Sequence, residues 1–189
     1  MKKLRFFSLM TLILMLTHLL APAAAAHPLG NFTINHYAGL HVTRQAVTVD
    51  YVLDMAEISA FQEIGTFDAN GNGQPDPAET ERYHPAQCAA IAARLDLRRD
   101  GQSLPLTVET STLEFPAGAG GLLTLRLTCA FRSPLTEMAE AVQLEFENNA
   151  YAERLGWREI VISSDSVSLD GDLTGLTSST SQRLTAYPR

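Results

Sequence analysis

Five oxygen-bearing side chains fall at fixed spacing in one short stretch of this chain. Asp68, Asn70, Asn72, Asp76 and Glu79 take positions 1, 3, 5, 9 and 12 of a twelve-residue run, with Gly73 at position 6. The run satisfies D-x-[DN]-x-[DN]-G-x5-E, the pattern of an EF-hand loop. The chemistry it predicts is that of a hard divalent cation. Calcium takes roughly six to eight oxygens, and the loop offers them in the required order. Asp68 and Glu79 supply carboxylates, with Glu79 bidentate; Asn70 and Asn72 supply amide oxygens; Gln74 supplies its backbone carbonyl; Asp76 acts through water. Three acidic ligands are few, so an affinity of about 10⁻⁴ to 10⁻³ M is expected, as in extracellular modules. Pro75 stands at position 8, where paired EF-hands join through a backbone bridge, and proline has no amide hydrogen for that bridge. No second loop accompanies it. The sequence thus predicts a lone structural clip, with an ion-free Asn-Gly turn as the alternative.

A second candidate ligand is His27. Cleavage of a leader after Ala26 would expose its α-amine next to the imidazole, a pair that chelates nickel, cobalt or copper. Pro28 removes the amide that a square-planar site would need. His36 and His41 fall on opposite faces of a predicted strand, so at most one of them can join His27. Asp54, Glu57 and Glu63 gather near one junction; paired carboxylates can exchange protons, but these read as charges at a helix start. No G-x-S-x-G, H-E-x-x-H or glycine-rich phosphate loop occurs, so the expectation is a binding protein, not an enzyme, and no small-molecule substrate is evident.

The elements that carry these groups begin after a leader. Lys2, Lys3 and Arg5 precede an apolar run from Phe6 to Leu20, and Ala21–Ala26 is rich in small residues, so residues 1–26 read as a signal peptide and the destination as periplasmic or secreted. Without the leader, eleven basic residues face 21 acidic ones, a formal charge of −10. Such a balance disfavours nucleic acid and anionic surfaces and suits cations. In an exported chain, Cys88 and Cys129 are expected to form a disulfide.

Period-2 alternation from Phe32 to Val42, and again from Val47 to Met55, predicts an antiparallel hairpin. Met55, Ile58, Phe61, Ile64 and Phe67 recur every three residues and predict a helix leading into the loop. Pro77 and Glu79 mark the start of the next helix, which Pro85 is expected to interrupt, and Cys88, Ile91 and Leu95 share a face. Asp100-Gly101 is a hairpin turn signal, and short alternating runs follow to Ser163. The expected architecture is mainly β: an immunoglobulin-like β-sandwich over residues 27–172, with a helix–calcium loop–helix insertion at about 56–95. Residues 173–189, rich in Ser and Thr, read as a flexible tail or linker.

The segments His27–Tyr37 and Asp54–Glu63, the acidic loop and the late Thr185–Arg189 together resemble the exported N-terminal region of bacterial nickel/cobalt-transporter-like membrane proteins. In those proteins a multi-helix membrane domain follows; here the residues end at Arg189 without a span, so transport itself is not expected of this chain. The resemblance implies an extracytoplasmic domain associated with metal handling and a membrane transporter component as partner. It leaves the metal and the oligomeric state open.

Overall fold

The computed structural model describes residues 30–136 and 141–187; the leader, the cleavage point and His27 lie outside the described residues. Among the described residues the chain is mainly β, with two helices. Strands β1 (Ile34–Val42) and β2 (Ala46–Met55) form the expected hairpin, with Ile34 opposite Met55 and Val42 opposite Val47. Helices α1 (Glu57–Phe67) and α2 (Pro77–Ala92) follow, then β3 (Leu95–Arg99), β4 (Gln102–Ser103) and β5 (Thr107–Glu114). A short 3-10 turn, Ala119–Gly121, leads to β6 (Leu125–Pro134), β7 (Leu144–Asn148) and β8 (Arg158–Ser164). The predicted Asp100-Gly101 turn joins β3 to β4, and both residues have positive φ, 51° and 76°. That is the combination a two-residue type I′ hairpin turn requires.

The strands make two sheets, ordered β5-β6-β2-β1-β8 and β4-β3-β7. All pairings are antiparallel except β1 with β8, where His36 lies opposite Arg158 in parallel register. The inward residues of β2 (Val47, Val49, Tyr51, Leu53 and Met55) are those the alternation selected, and all are buried. They join Leu125, Leu127 and Phe131 of β6, Ile91 of α2 and Leu95 and Leu97 of β3 in one core. Both sheets therefore share a hydrophobic centre, and each large side chain buried there contributes about 2 to 3 kcal/mol.

Two helical details depart from expectation. The buried residues of α1 are Glu57, Ser59, Ala60 and Ile64, whereas Phe61 is 59% exposed. A helix turns every 3.6 residues, so a strict three-residue recurrence drifts off the core side within two turns. Helix α2 runs through Pro85 instead of ending there. Both Pro85 and Glu81, four residues before it, are exposed, so water can meet the carbonyl that loses its partner.

Residues 179–187 belong to the stretch read as a flexible tail or linker. They lie against the sheet, where Ser181 is fully buried and Leu184 is 3% exposed. Composition does not show this because the contacts join residues far apart in sequence.

Two tight points hold the assembly. Cys88 of α2 is disulfide-bonded to Cys129 of β6, with Cα atoms 5.8 Å apart and a sequence separation of 41. Before β8 the chain runs closely alongside β1: Ile34 N–H donates to Leu155 O (2.8 Å) and His36 N–H to Trp157 O (2.7 Å). Between these bonds sits Gly156, where a Cβ would lie 1.8 Å from the Ile34 oxygen. Only glycine permits that approach.

Replacing both cysteines by alanine is expected to lower stability by about 4 kcal/mol in the chain-entropy view, measured by urea unfolding. Gly156→Ala is expected to cost about 3 kcal/mol by the same measurement, through overpacking against backbone that cannot yield; a change within experimental error would show that the Ile34–Leu155 approach is not maintained in solution.

Candidate functional site

The loop between the helices is built from its two ends. Asp68 ends α1, and its N–H still donates to Ile64 O. Asp76 begins α2 with a capping box: its carboxylate accepts the Glu79 N–H at 3.0 Å, and Glu79 Oε2 accepts the Asp76 N–H at 3.2 Å. Such reciprocal capping satisfies two amides that a helix start leaves unpaired. Pro77 in the first turn needs no such partner.

The motif oxygens turn inward. Asp68 accepts N–H groups from Gly71 (2.8 Å), Asn72 (3.2 Å) and Gly73 (2.7 Å). Asn70 Oδ1 accepts from Asn72 N–H at 2.9 Å, and Asn72 Oδ1 accepts from Gln74 N–H at 2.7 Å. Glu79 is 4% exposed, and its Oε1 reaches back to the N–H groups of Ala69 (2.8 Å) and Asn70 (3.3 Å). Asn70 Nδ2 donates to Asp76 Oδ2 at 3.0 Å. Gly73, at position 6, has φ 71°, and Gly71 has the same value. Left-handed backbone at these points is what glycine permits and what curls the loop back on itself.

The structure thus brings Asn70, Asp76 and Glu79 together and directs Asp68 onto the backbone of residues 71–73. Among the described residues, no three His, Cys, Asp or Glu side chains are gathered closely enough to hold an ion between them. The donor chemistry still fits a hard cation. A carboxylate offers about four lone-pair positions and an amide oxygen about two. With the contacts above, all five motif side chains keep acceptor capacity beyond their N–H partners.

The other sequence candidates separate. His27 lies outside the described residues. His36 and His41 point to opposite faces, as expected: His41 is 3.3 Å from the Asp165 carboxylate, and His36 is fully buried. Asp54, Glu57 and Glu63 each accept from a different element: Asp54 from the Tyr187 hydroxyl (2.6 Å), Glu57 from Ala119 N–H (2.8 Å) and Glu63 from the Tyr83 hydroxyl (2.6 Å). Each thereby anchors a different part of the chain. Sequence reasoning missed the cluster on the other side of the sheet, where Glu159, Asp50 and Arg126 hold residues 180–184. Its partners are up to 133 residues apart, and no local signal links them.

Comparison of the chain with protein-family models, with curated proteins and with solved structures finds no match. Among the described residues, no helix is long and apolar enough to cross a membrane.

The buried His36 has a measurable consequence. Its Nδ1 and the Tyr51 hydroxyl share a 2.6 Å hydrogen bond, and Asn148 Nδ2 donates to the same oxygen at 3.5 Å. Burial, and after it the charge of Arg158, lowers the His36 pKa from 6.5 to about 3. Between these values the unfolded chain carries a proton that the folded chain does not, so folding weakens as pH falls through this window; above it, His36 is neutral in both states. His36→Asn keeps an acceptor for Tyr51 and removes the titration. Between pH 6 and 4 its folding constant should fall less steeply than that of the wild type, by about tenfold per pH unit, as read by urea unfolding at each pH. Parallel slopes would rule the assignment out.

Proposed function

We propose that this chain is an exported accessory or interaction domain of a metal-ion transport system, acting by binding and not by catalysis, in which one calcium ion clips the helical insertion. The observation that carries the calcium reading is the loop itself. Oxygen side chains stand at positions 1, 3, 5, 9 and 12 of one curled segment, with left-handed glycine at position 6. Calcium bound there would draw the Asp68 end of α1 toward the Glu79 end of α2 and lock the angle between them. A lone loop whose position 8 is Pro75 suits such a clip better than a cooperative sensor. The disulfide is compatible with the exported setting. The transporter association rests on the resemblance of His27–Tyr37 and Asp54–Glu63, and the immunoglobulin-like description on two sheets that share one core; the parallel β1–β8 pair counts against a purely antiparallel version of it.

The test is thermal unfolding with calcium and with chelator. At free calcium about a hundredfold above the dissociation constant, binding to the folded state alone stabilises by about 2.7 kcal/mol. For a domain of this size that is a rise of about 5 to 10 °C in Tm. Glu79→Gln keeps a capping-box partner for Asp76 and removes the bidentate carboxylate; its Tm should not respond to calcium while remaining close to that of the calcium-free wild type. Equal responses in wild type and variant, or none in either at 10 mM calcium, would defeat the reading.

A further inference from the structure

The outer face of the five-stranded sheet is covered by residues 179–187, and they are attached in an unusual way. Among the described residues, this strap makes no backbone–backbone hydrogen bond to the sheet; its own bonds, Thr185 N–H and Ala186 N–H to Ser181 O, are internal. Sheet side chains hold it instead. Glu159 accepts from the backbone N–H groups of Thr180 and Ser181 and from the Ser181 hydroxyl. Those hydrogen bonds overcome the cost of burial and keep the carboxyl below its ordinary pKa. Asp50 takes the Arg183 guanidinium in a two-pronged contact of 2.6 and 2.8 Å. Arg126 donates to the carbonyls of Arg183 (2.5 Å) and Leu184 (3.2 Å). Asp54 accepts from the Tyr187 hydroxyl at 2.6 Å. One apolar anchor, Leu184, packs with Tyr37 and Val52, and Trp157 and Val161 pack against that group.

We propose that this outer face is a peptide-binding surface, occupied here by the chain's own strap as an internal ligand. Released, it would take a partner segment of the same chemistry, with hydroxyl, arginine, leucine and tyrosine in that order. Three observations argue that the strap is separable and the face selective. First, the strap is held by side chains and adds no strand to the sheet, so it can leave without breaking a strand ladder. Second, Gln182, Arg183 and Leu184 all have positive φ, 49°, 59° and 62°. Successive L-residues leave that region when unrestrained, so the turn is held by its bonds to Ser179 and Ser181 together with the contacts that the face supplies. The same turn delivers Arg183 and Leu184 side by side onto Asp50 and the apolar anchor site. Third, the charges are complementary: Asp50, Asp54 and Glu159 present acceptors to an arginine, a tyrosine and a run of amides, while Arg126 reads carbonyls. The surface is independent of the calcium loop.

The probe is a fluorescein-labelled synthetic peptide spanning residues 177–189, with a scrambled peptide as control. The chain's single tryptophan, Trp157, stands beside Leu184 and reports whether the site is occupied. In the otherwise intact chain, Arg183→Glu with Leu184→Asp weakens the strap. That variant is expected to bind the peptide saturably and at least tenfold more tightly than the wild type, with a change in Trp157 fluorescence; adding Asp50→Arg should reduce the binding at least tenfold. A folded variant that ignores the peptide, or takes the scrambled one equally well, overturns the proposal. Should the variant lose its cooperative urea transition, a protease site inserted at the exposed Gly171–Asp172 turn of the wild type provides the second route. After nicking, excess labelled peptide should displace the strap and co-elute with the body on size exclusion. A body that retains its strap and gains no label sinks the idea.

Discussion

Strand β2 is buried on both faces, and the rest of the molecule is arranged around that fact. Its inner side, Val47, Val49, Tyr51, Leu53 and Met55, is apolar throughout, whereas its outer side carries Ala46, Thr48, Asp50, Val52 and Asp54. The inner face needs an apolar cover, because left open it would put valine, tyrosine and leucine in water; the outer face needs one that seals Val52 and offers polar partners beside it. On the inner side the cover comes from α2 and the smaller sheet, which meet Val49, Tyr51 and Leu53 in one core. On the outer side it comes from the last described residues of the chain. There Val52 is sealed by Leu184, and Asp50 and Asp54 on either side of it receive Arg183 and Tyr187.

The same constraint explains how the helical insertion is attached. It leaves the sheet directly after β2 and returns to β3, so its base is fixed by the hairpin. Its second helix is then fastened over β5 and β6, by the Cys88–Cys129 disulfide and by the His84–Ser111 hydrogen bond of 2.7 Å. Glu57, in the first turn of α1, reaches the turn at Ala119 that precedes β6. What these ties leave unsecured is the far end, where α1 hands over to α2. The Asp68–Glu79 loop lies at that point, and Glu79 already bridges it by accepting amides from both arms. A cation there would strengthen a clasp that exists in hydrogen-bonded form.

Much of this was legible in the chain itself, and always where the cause is local. The hairpin follows from period-2 alternation, the β3–β4 turn from Asp100-Gly101, and the start of α2 from Pro77 and Glu79. The curl of the loop follows from glycine at its fixed positions. Each depends on residues within one or two turns of one another, so type and spacing are sufficient. The pairing of the cysteines was legible because only two exist. Two local signals failed for reasons that lie within the helices themselves. Phe61 fits a three-residue recurrence, yet the helix's own period turns it outward; Pro85 reads as a break, yet its exposed side lets α2 continue.

Tertiary structure alone decided the rest. It placed β8 parallel to β1 across more than a hundred residues. It buried His36 against Tyr51, where an alternating pattern could say only that the side chain faces inward. It also turned a Ser/Thr-rich segment, which composition marks as loose, into the cover of a sheet face. The physical reason is common to all three. Their stability comes from contacts between segments that are individually unremarkable, such as an arginine on an aspartate, a serine on a glutamate and one leucine among aromatics. Such contacts carry no period and no spacing for a sequence to display. What the sequence determined was the set of local elements and the oxygen-rich loop between two of them; what the fold determined was which surfaces meet, and therefore which side chains are available to bind anything else.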